Sequence, residues 1–436
     1  MKHLGVLVAG LCLLPGLTYA QDDNKENEFT MSAQIRPRAE YRNGAVTPRD
    51  EGASAASFIN NRARLSMEYR RTGLSMKISA QHVGVWGQDP QIDKNGRFIM
   101  NEAWAKLESK DGFFAQLGRQ TLSYDDERIL GGLDWNVAGR YHDALKLGYQ
   151  NAQNQLHLIL AFNQNDEKTN GGTYYNAAIA QPYKSMQTLW YHYKAKQNPF
   201  EASLLFMNLG WEAGNPEKAK TRYMQTMGTY LTYNPGNWNL TGAFYYQSGK
   251  TKPNLATMES QSTSAYMWSA VAAYKIDRTW TVTIGSDYLS GNDGEGDKNK
   301  AFDPLYGTHH KFYGAMDYFY ASNWKQGVPS PGLWDNRIGI AFKASSKVAL
   351  QVNYHHLSVA RDNPEVLKGD LGKVLGSEFD TQVDWSVMKD VKLSAGYSFM
   401  LGTETMDVVK GGYHGSWQDW GWVSLNINPR IFFAKW

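Results

Sequence analysis

Residues 29–42 alternate without a break. Phe29, Met31, Ala33, Ile35, Pro37, Ala39 and Tyr41 fall on one face, and Thr30, Ser32, Gln34, Arg36, Arg38, Glu40 and Arg42 on the other. A period of two over this length predicts a β-strand with one apolar face. It is long enough to cross a bilayer, which takes a tilted strand about 9–11 residues. Pro37 has no N–H to give a ladder, so a bulge is expected there. The pattern then repeats. Asn60, Arg62, Arg64, Ser66, Glu68 and Arg70 oppose Ala63, Leu65, Met67 and Tyr69. After a turn at 71–73, Leu74, Met76, Ile78 and Ala80 oppose Ser75, Lys77, Ser79 and Gln81. Further short turns read at 109–112, 150–155, 195–199, 233–237, 276–279, 343–347 and 387–391, giving eight hairpins separated by longer polar segments. Short turns on one side and long loops on the other are the layout of a bacterial outer-membrane barrel.

Eight hairpins make sixteen strands, and 29–42 and 421–436 add one each. Residues 310–320 also alternate. As a spanning strand they would make nineteen and put the termini on opposite sides, whereas single-chain bacterial barrels have even strand numbers. They are therefore assigned to a loop at 290–333. The expected fold is all-β: one transmembrane antiparallel β-barrel domain over 21–436, with about 18 strands, long extracellular loops and short periplasmic turns.

Composition fits. Mean hydropathy is −0.53, and no apolar run past residue 20 approaches the length of a spanning helix. Residues 1–20 read as a removed signal peptide: Lys2, an apolar run over 4–17, and Thr18-Tyr19-Ala20 before Gln21. The single cysteine, Cys12, lies inside it, so the mature chain has no disulfide or thiolate metal site. Formal charge is +3, or +2 without Lys2, too little to name a partner. Tyr69, Tyr149, Tyr193, Tyr233, Trp238, Tyr274, Trp280, Phe342 and Trp385 sit near the short turns, as an aromatic girdle does. The chain ends on Trp436, like barrels marked for outer-membrane assembly, although Arg430 and Lys435 interrupt the apolar face there. The expected location is the outer membrane of a Gram-negative bacterium, with its lipid as a partner and no nucleic acid.

The first two strands put Arg36, Arg38, Arg42, Arg62, Arg64 and Arg70 on their polar faces against Glu40 and Glu68, a local balance of +4. Lys77, Lys106 and Lys146 share that parity. In a barrel these face the lumen, where positive potential between low-dielectric walls concentrates anions, and basic rings select them. The competing reading pairs the arginines with lumenal acids such as Asp287, Glu378, Asp380 and Asp384, so that they only brace the wall.

Residues 117–147 form strand ends around a long, charged, glycine-rich loop. It holds Arg119, Asp125, Asp126, Glu127, Arg128, Asp134, Arg140 and Asp143, with Tyr124 and Trp135 among them. A loop of that length is usually functional or disordered, and its aromatics and regular charges argue against disorder. A bore of roughly 35 Å is too wide to discriminate small solutes, so a loop must fold inward. Here Gly131, Gly132 and Gly139 would allow the sharp turns. Arg119, Arg128 and Arg140 are expected inside the barrel near its narrowest point, cross-paired with the loop's acids or the opposite wall. The bland alternative is that the same charges only hold the loop shut.

This stretch also resembles the alginate-export porins, through Gly118-Arg119-Gln120, Tyr124-Asp125-Asp126-Glu127-Arg128, Leu133-Asp134-Trp135, Gly139-Arg140 and Asp143. Phe302-Asp303-Pro304-Leu305-Tyr306-Gly307 with His310 resembles a second motif of that family. The resemblance implies an outer-membrane channel without turnover chemistry that moves acidic polysaccharide such as alginate, with periplasmic components acting beside it.

Other motifs carry less. Asp293, Glu295 and Asp297 alternate as calcium ligands do, but the glycine and glutamate of a calcium loop are missing, and a solvated acidic loop is the stronger reading. The adjacent pairs His309/His310 and His355/His356 point oppositely on a strand and do not share a metal. Ser248-Gly249-Lys250-Thr251 lacks the upstream glycine of a phosphate loop. No cofactor is implied. The leading reading is a channel for an anionic saccharide or other small anion, of open direction. The rivals are a lipid-acting enzyme on the barrel wall and a plugged barrel serving as a binding scaffold.

Overall fold

The computed structural model describes residues 26–89, 98–177, 181–254, 257–319 and 324–436; the expected leader lies outside them. The strands are β1 (Glu28–Asn43), β2 (Ala56–Arg71), β3 (Leu74–Val85), β4 (Phe98–Glu108), β5 (Phe113–Gln120), β6 (His142–Gln150), β7 (Asn154–Phe162), β8 (Ser185–Lys194) and β9 (Phe200–Ala213). They continue as β10 (Lys220–Tyr233), β11 (Trp238–Lys250), β12 (Ser262–Lys275), β13 (Trp280–Leu289), β14 (Leu333–Lys343), β15 (Val348–Val359), β16 (Val374–Met388), β17 (Val391–Gly402), β18 (Gln418–Ile427) and β19 (Arg430–Lys435).

From β1 to β18 every strand pairs antiparallel with its sequence neighbour. β1 closes the sheet by pairing with β2 on one side and with β18 and β19 on the other. β18 and β19 are two halves of one stave broken at Asn428-Pro429, so nineteen segments make an eighteen-stranded barrel. All eight short turns fall where the alternation of the sequence placed them. Pro37 makes no bulge: β1 and β2 stay in register from Glu28 to Arg42. The missing N–H faces the seam with β18, and the ladder slips instead between Met31 and Ser32 opposite β19. A short helix, α1 (Glu404–Lys410), sits in the loop between β17 and β18. No described helix is long and apolar enough to span a membrane.

The two faces separate as a membrane requires. Ile35, Leu65, Ile78, Leu117, Leu204, Ile284 and Val423 are exposed on the outside, where lipid solvates them. The turn-side aromatics pair across strands: Phe113 with Tyr149 at 4.9 Å, Trp238 with Tyr274 at 4.7 Å and Trp280 with Phe342 at 4.4 Å. The alternation is directly testable. A cysteine replacing Leu65 should react only with a lipid-soluble reagent, and one replacing Arg64 only with a water-soluble one; the same accessibility for both would refute the register.

Candidate functional site: a two-loop plug across the lumen

β5 and β6 are short, and the chain between them, 121–141, turns back into the barrel. Leu122, Ile129 and Leu130 are buried in the interior. The described part of the loop between β13 and β14, 290–319 and 324–332, enters from the far side and meets it. The Tyr306 N–H donates to the Ile129 carbonyl (3.0 Å), the Gly131 N–H to Tyr306 (2.9 Å) and the Thr308 N–H to Glu127 (2.8 Å). This is a short parallel bridge at lumen depth, where irregular backbone is tolerated only inside protein or beside water. The backbones approach so closely that an added Cβ on Gly131 would lie 2.3 Å from Thr308 Oγ1, and one on Gly307 2.2 Å from the Arg128 carbonyl. Gly131 therefore serves close approach rather than a sharp turn. The turning falls to Asp125, Glu127 and Leu133, all at positive φ, alongside Gly139. Residues 309–311 form a single 3-10 turn and 310–319 add no strand; Tyr320 lies outside the described residues.

Arginines of β1 and β2 grip the tip of the first loop. Arg62 is fully buried. Its Nη1 reaches Asp134 Oδ1 (2.6 Å), its Nη2 the carbonyls of Asp134 and Asn136 (2.9 and 2.8 Å), and its Nε that of Val137 (2.7 Å). Arg36 adds Asp134 Oδ2 (3.1 Å) and the Asn136 carbonyl (3.2 Å), and Arg38 the Trp135 carbonyl (2.9 Å). A guanidinium offers five donors in a fixed fork, which suits it to a row of carbonyls. Arg38 and Arg42 also converge on Glu40. Arg38 and Arg62 are thus loop anchors first. Arg64 binds Gln81 Oε1 (2.9 and 2.7 Å) and, among the described residues, pairs with no acid. Asp134 remains water-accessible, its side chain 72 % exposed.

The far side of the plug is fixed to the acidic wall. Arg128 is fully buried, with Nε on Asp126 (2.7 Å) and Nη2 on Ser269 Oγ (2.9 Å) and Asp287 (2.9 and 3.1 Å). Its Cζ lies 4.0 Å over the Phe312 ring. Asp287 also takes Arg337 Nη1 at 2.6 Å. A buried charge survives only when paired and hydrogen-bonded, and here three carboxylate contacts meet that condition. The Met316 N–H donates to Glu378 (2.7 Å), and His355 sits between Asp335 (2.9 Å) and Asp380 (3.5 Å). The acids Asp287, Glu378, Asp380 and Asp384 therefore do not brace the first-wall arginines: the first three hold the plug and its neighbours, and Asp384 pairs with Lys392. Between the walls, Trp135 stacks on His310 at 4.2 Å, meets Trp422 edge-on at 4.8 Å and lies 4.0 Å beneath Arg38. This accounts for the histidine of the second motif.

The remaining loop charges divide. Glu127 accepts from Ser123 (2.7 Å), and Asp125 accepts from the Trp190 indole (3.0 Å) while burial pushes its carboxyl up. Arg140 donates to the Gly307 carbonyl (2.6 Å), joining the loops. Arg119 and Asp143 correct the expectation of an all-lumenal cluster. They form a bidentate pair at 2.8 and 2.9 Å, but on the outward face that they share with Leu117 and Leu147. Parity along β5 and β6 dictates this, and the alternation of Gln116 with Leu117 already carried the signal. Asp293 is held by Lys300 Nζ at 2.7 Å, and among the described residues no group of three acids or histidines converges. The alternation did not reveal that the second loop is half of the plug.

Comparison with known proteins agrees with this architecture. Among solved structures, the chain is similar to a BenF-like porin from Pseudomonas fluorescens Pf-5, with TM-score 0.58, 11 % identity, 92 % of this chain and 99 % of that one. It is also similar to OccAB1 of Acinetobacter baumannii (TM-score 0.58, 14 % identity, 93 % and 97 %). A third is OccK2 of Pseudomonas aeruginosa in complex with glucuronate (TM-score 0.57, 11 % identity, 93 % and 98 %). Among curated proteins none matches in sequence. The alginate export family matches residues 28–402. An eighteen-stranded barrel with a lipid-facing apolar belt, a plug built from both motif loops and a family match over nearly its whole length make this chain an outer-membrane channel that belongs to the alginate export family.

Proposed function

We propose that the channel passes anionic solutes, foremost acidic saccharides. The observation that carries this is the inward face of β1–β6. There Arg36, Arg64, Lys77, Lys106 and Lys146 stand in reach of water beside the plug, with Glu68, Glu102 and Glu108 as partial counter-charges. Focused positive potential raises local anion concentration, and the glucuronate bound by the similar OccK2 barrel is a solute of this chemistry. The plug would work as a filter that leaves a passage along the basic wall. Export of a polymer would further require periplasmic components. In a salt gradient across a planar bilayer, the reversal potential should report anion selectivity, and Arg36→Gln with Arg64→Gln should lower it. Cation selectivity of the wild type would overturn the proposal.

One observation favours a second reading. Phe302, Tyr313, Met316, Tyr318 and Phe319 pack the interior densely, as in a closed barrel that binds rather than conducts. Single-channel conductance separates the two.

A further inference from the structure

Three inward side chains lie in one transverse row on the lower basic wall. The ladder pairs Lys106 of β4 with Gln116 of β5, and Gln116 with Lys146 of β6. Directly paired residues share a face, so all three point into the lumen. The next row toward the periplasmic turns is Glu108, Phe114, Gly148 and His157. The Phe114 ring lies on Gly148: a Cβ there would stand 2.4 Å from the ring. The absent side chain thus leaves a bed for Phe114, and the ring forms the floor under both ammonium groups, with Lys106 Nζ at 4.4 Å from its centroid and Lys146 Nζ at 6.0 Å. His157 meets the ring edge at 5.2 Å and is roofed by Tyr124 of the plug, whose hydroxyl is 3.0 Å from His157 Nδ1.

The row holds donors without matching acceptors. Glu108 takes Lys106 at 3.0 Å, and its other oxygen is already bound by Gln150. Among the described residues Lys146 has no carboxylate within ion-pair reach, and the Gln116 amide makes no hydrogen bond within the protein and keeps its polar atoms open to the lumen. Two like charges converging on one ring repel each other, and a lumen-facing amide with no protein partner is available to a ligand. Both deficits are met by one ligand, an anion with at least two acceptor oxygens seated between the lysines against Gln116. The outer Cα atoms are two strand spacings apart, roughly 10 Å, which two lysine side chains can close on a carboxylate.

We infer that Lys106, Gln116 and Lys146, floored by Phe114, form a carboxylate-binding step for uronate units on the periplasmic side of the plug. The inference rests on the anionic-saccharide reading above and places one of its contacts. The position, a few residues above the turns at 109–112 and 151–153, makes it an early contact for a chain entering from the periplasm and a late one for a solute leaving the plug.

The test uses the full chain in planar bilayers with sodium glucuronate as the probe, glucose as the neutral control and the chloride reversal potential as an independent readout. Glucuronate should block the wild-type current saturably and glucose should not. Lys146→Gln should raise the half-blocking concentration about fivefold, the order of one partly screened charge contact, and Lys146→Arg should restore it. Lys106→Gln should act in the same direction and serves as the second variant if Lys146→Gln fails to assemble, as judged by heat-modifiable electrophoretic mobility. A folded Lys146→Gln or Lys106→Gln channel with unchanged glucuronate block overturns the site. So does an anion-selective wild type that glucuronate does not block, which leaves the channel's anion preference standing. A wild type without anion selectivity removes both.

Discussion

Deleting residues 124–136 raises single-channel conductance several-fold while the barrel still assembles. Steric area is the reason. Eighteen tilted strands enclose a bore of roughly 35 Å, and the plug occupies it. The deletion removes Arg128, Asp134 and Trp135 together, and with them the anchors on both walls and the bridge to Tyr306. The strand ladder does not depend on them, because β5 and β6 pair from Phe113 to Gln120 through their own backbones. The second loop keeps part of its hold, since the Met316 N–H still donates to Glu378 and the Ala315 N–H to Asp380. The gain should therefore fall short of an empty barrel. Conductance in planar bilayers, with folding verified by electrophoretic mobility, decides it. An unchanged value in a folded deletion variant would put the limiting aperture in 290–332.

Asp287→Asn should loosen the plug more than Arg128→Met does. Asp287 accepts from two guanidiniums, Arg128 and Arg337. Neutralising it leaves both around one lost charge, and Arg128 then keeps only Asp126. Breaking a buried pair from one side costs about 3–5 kcal/mol, because the remaining charge is stranded in a low dielectric. Arg128→Met is milder: Asp287 retains Arg337, and methionine still covers the Phe312 ring. The cost lands on loop docking rather than on the barrel, whose ladders are untouched. The expected readout is open-channel noise and proteolytic nicking of 121–141, both greater in Asp287→Asn than in Arg128→Met and near the wild type in neither. Equal, quiet currents in both variants would mean that the network does not hold the plug.

Parity explains which residues the sequence placed well and which it did not. Counting in twos puts Arg36, Arg62, Arg64, Lys106 and Lys146 on the lumenal face, and the ladders keep them there. The charge of Arg119 and Asp143 groups them with the loop, whereas the same counting puts them outside with Leu117 and Leu147. The ladder overrides what their charge suggests, because a strand residue has no freedom to choose its face. Arg38 and Arg62 illustrate a different gap. Their facing was legible, but their task as carbonyl clamps for 134–137 was not, since a donor in the sequence does not name its acceptor.

The alternation, the turn residues and the aromatics beside the turns are local signals, and they determined the strand number, the turns and the two faces, while the two loop motifs carried the family. The period of two and the turn chemistry act within a few residues, so no distant partner can alter them. The plug was decided only in three dimensions. Arg128 meets Asp287 across 159 positions, Arg62 meets Asp134 across 72, and Trp135 seats on Trp422 of the β1–β18 seam and on His310 of the second loop. Loop conformation is fixed by whichever long-range partners satisfy its buried charges and carbonyls, and those become neighbours only after the barrel has closed.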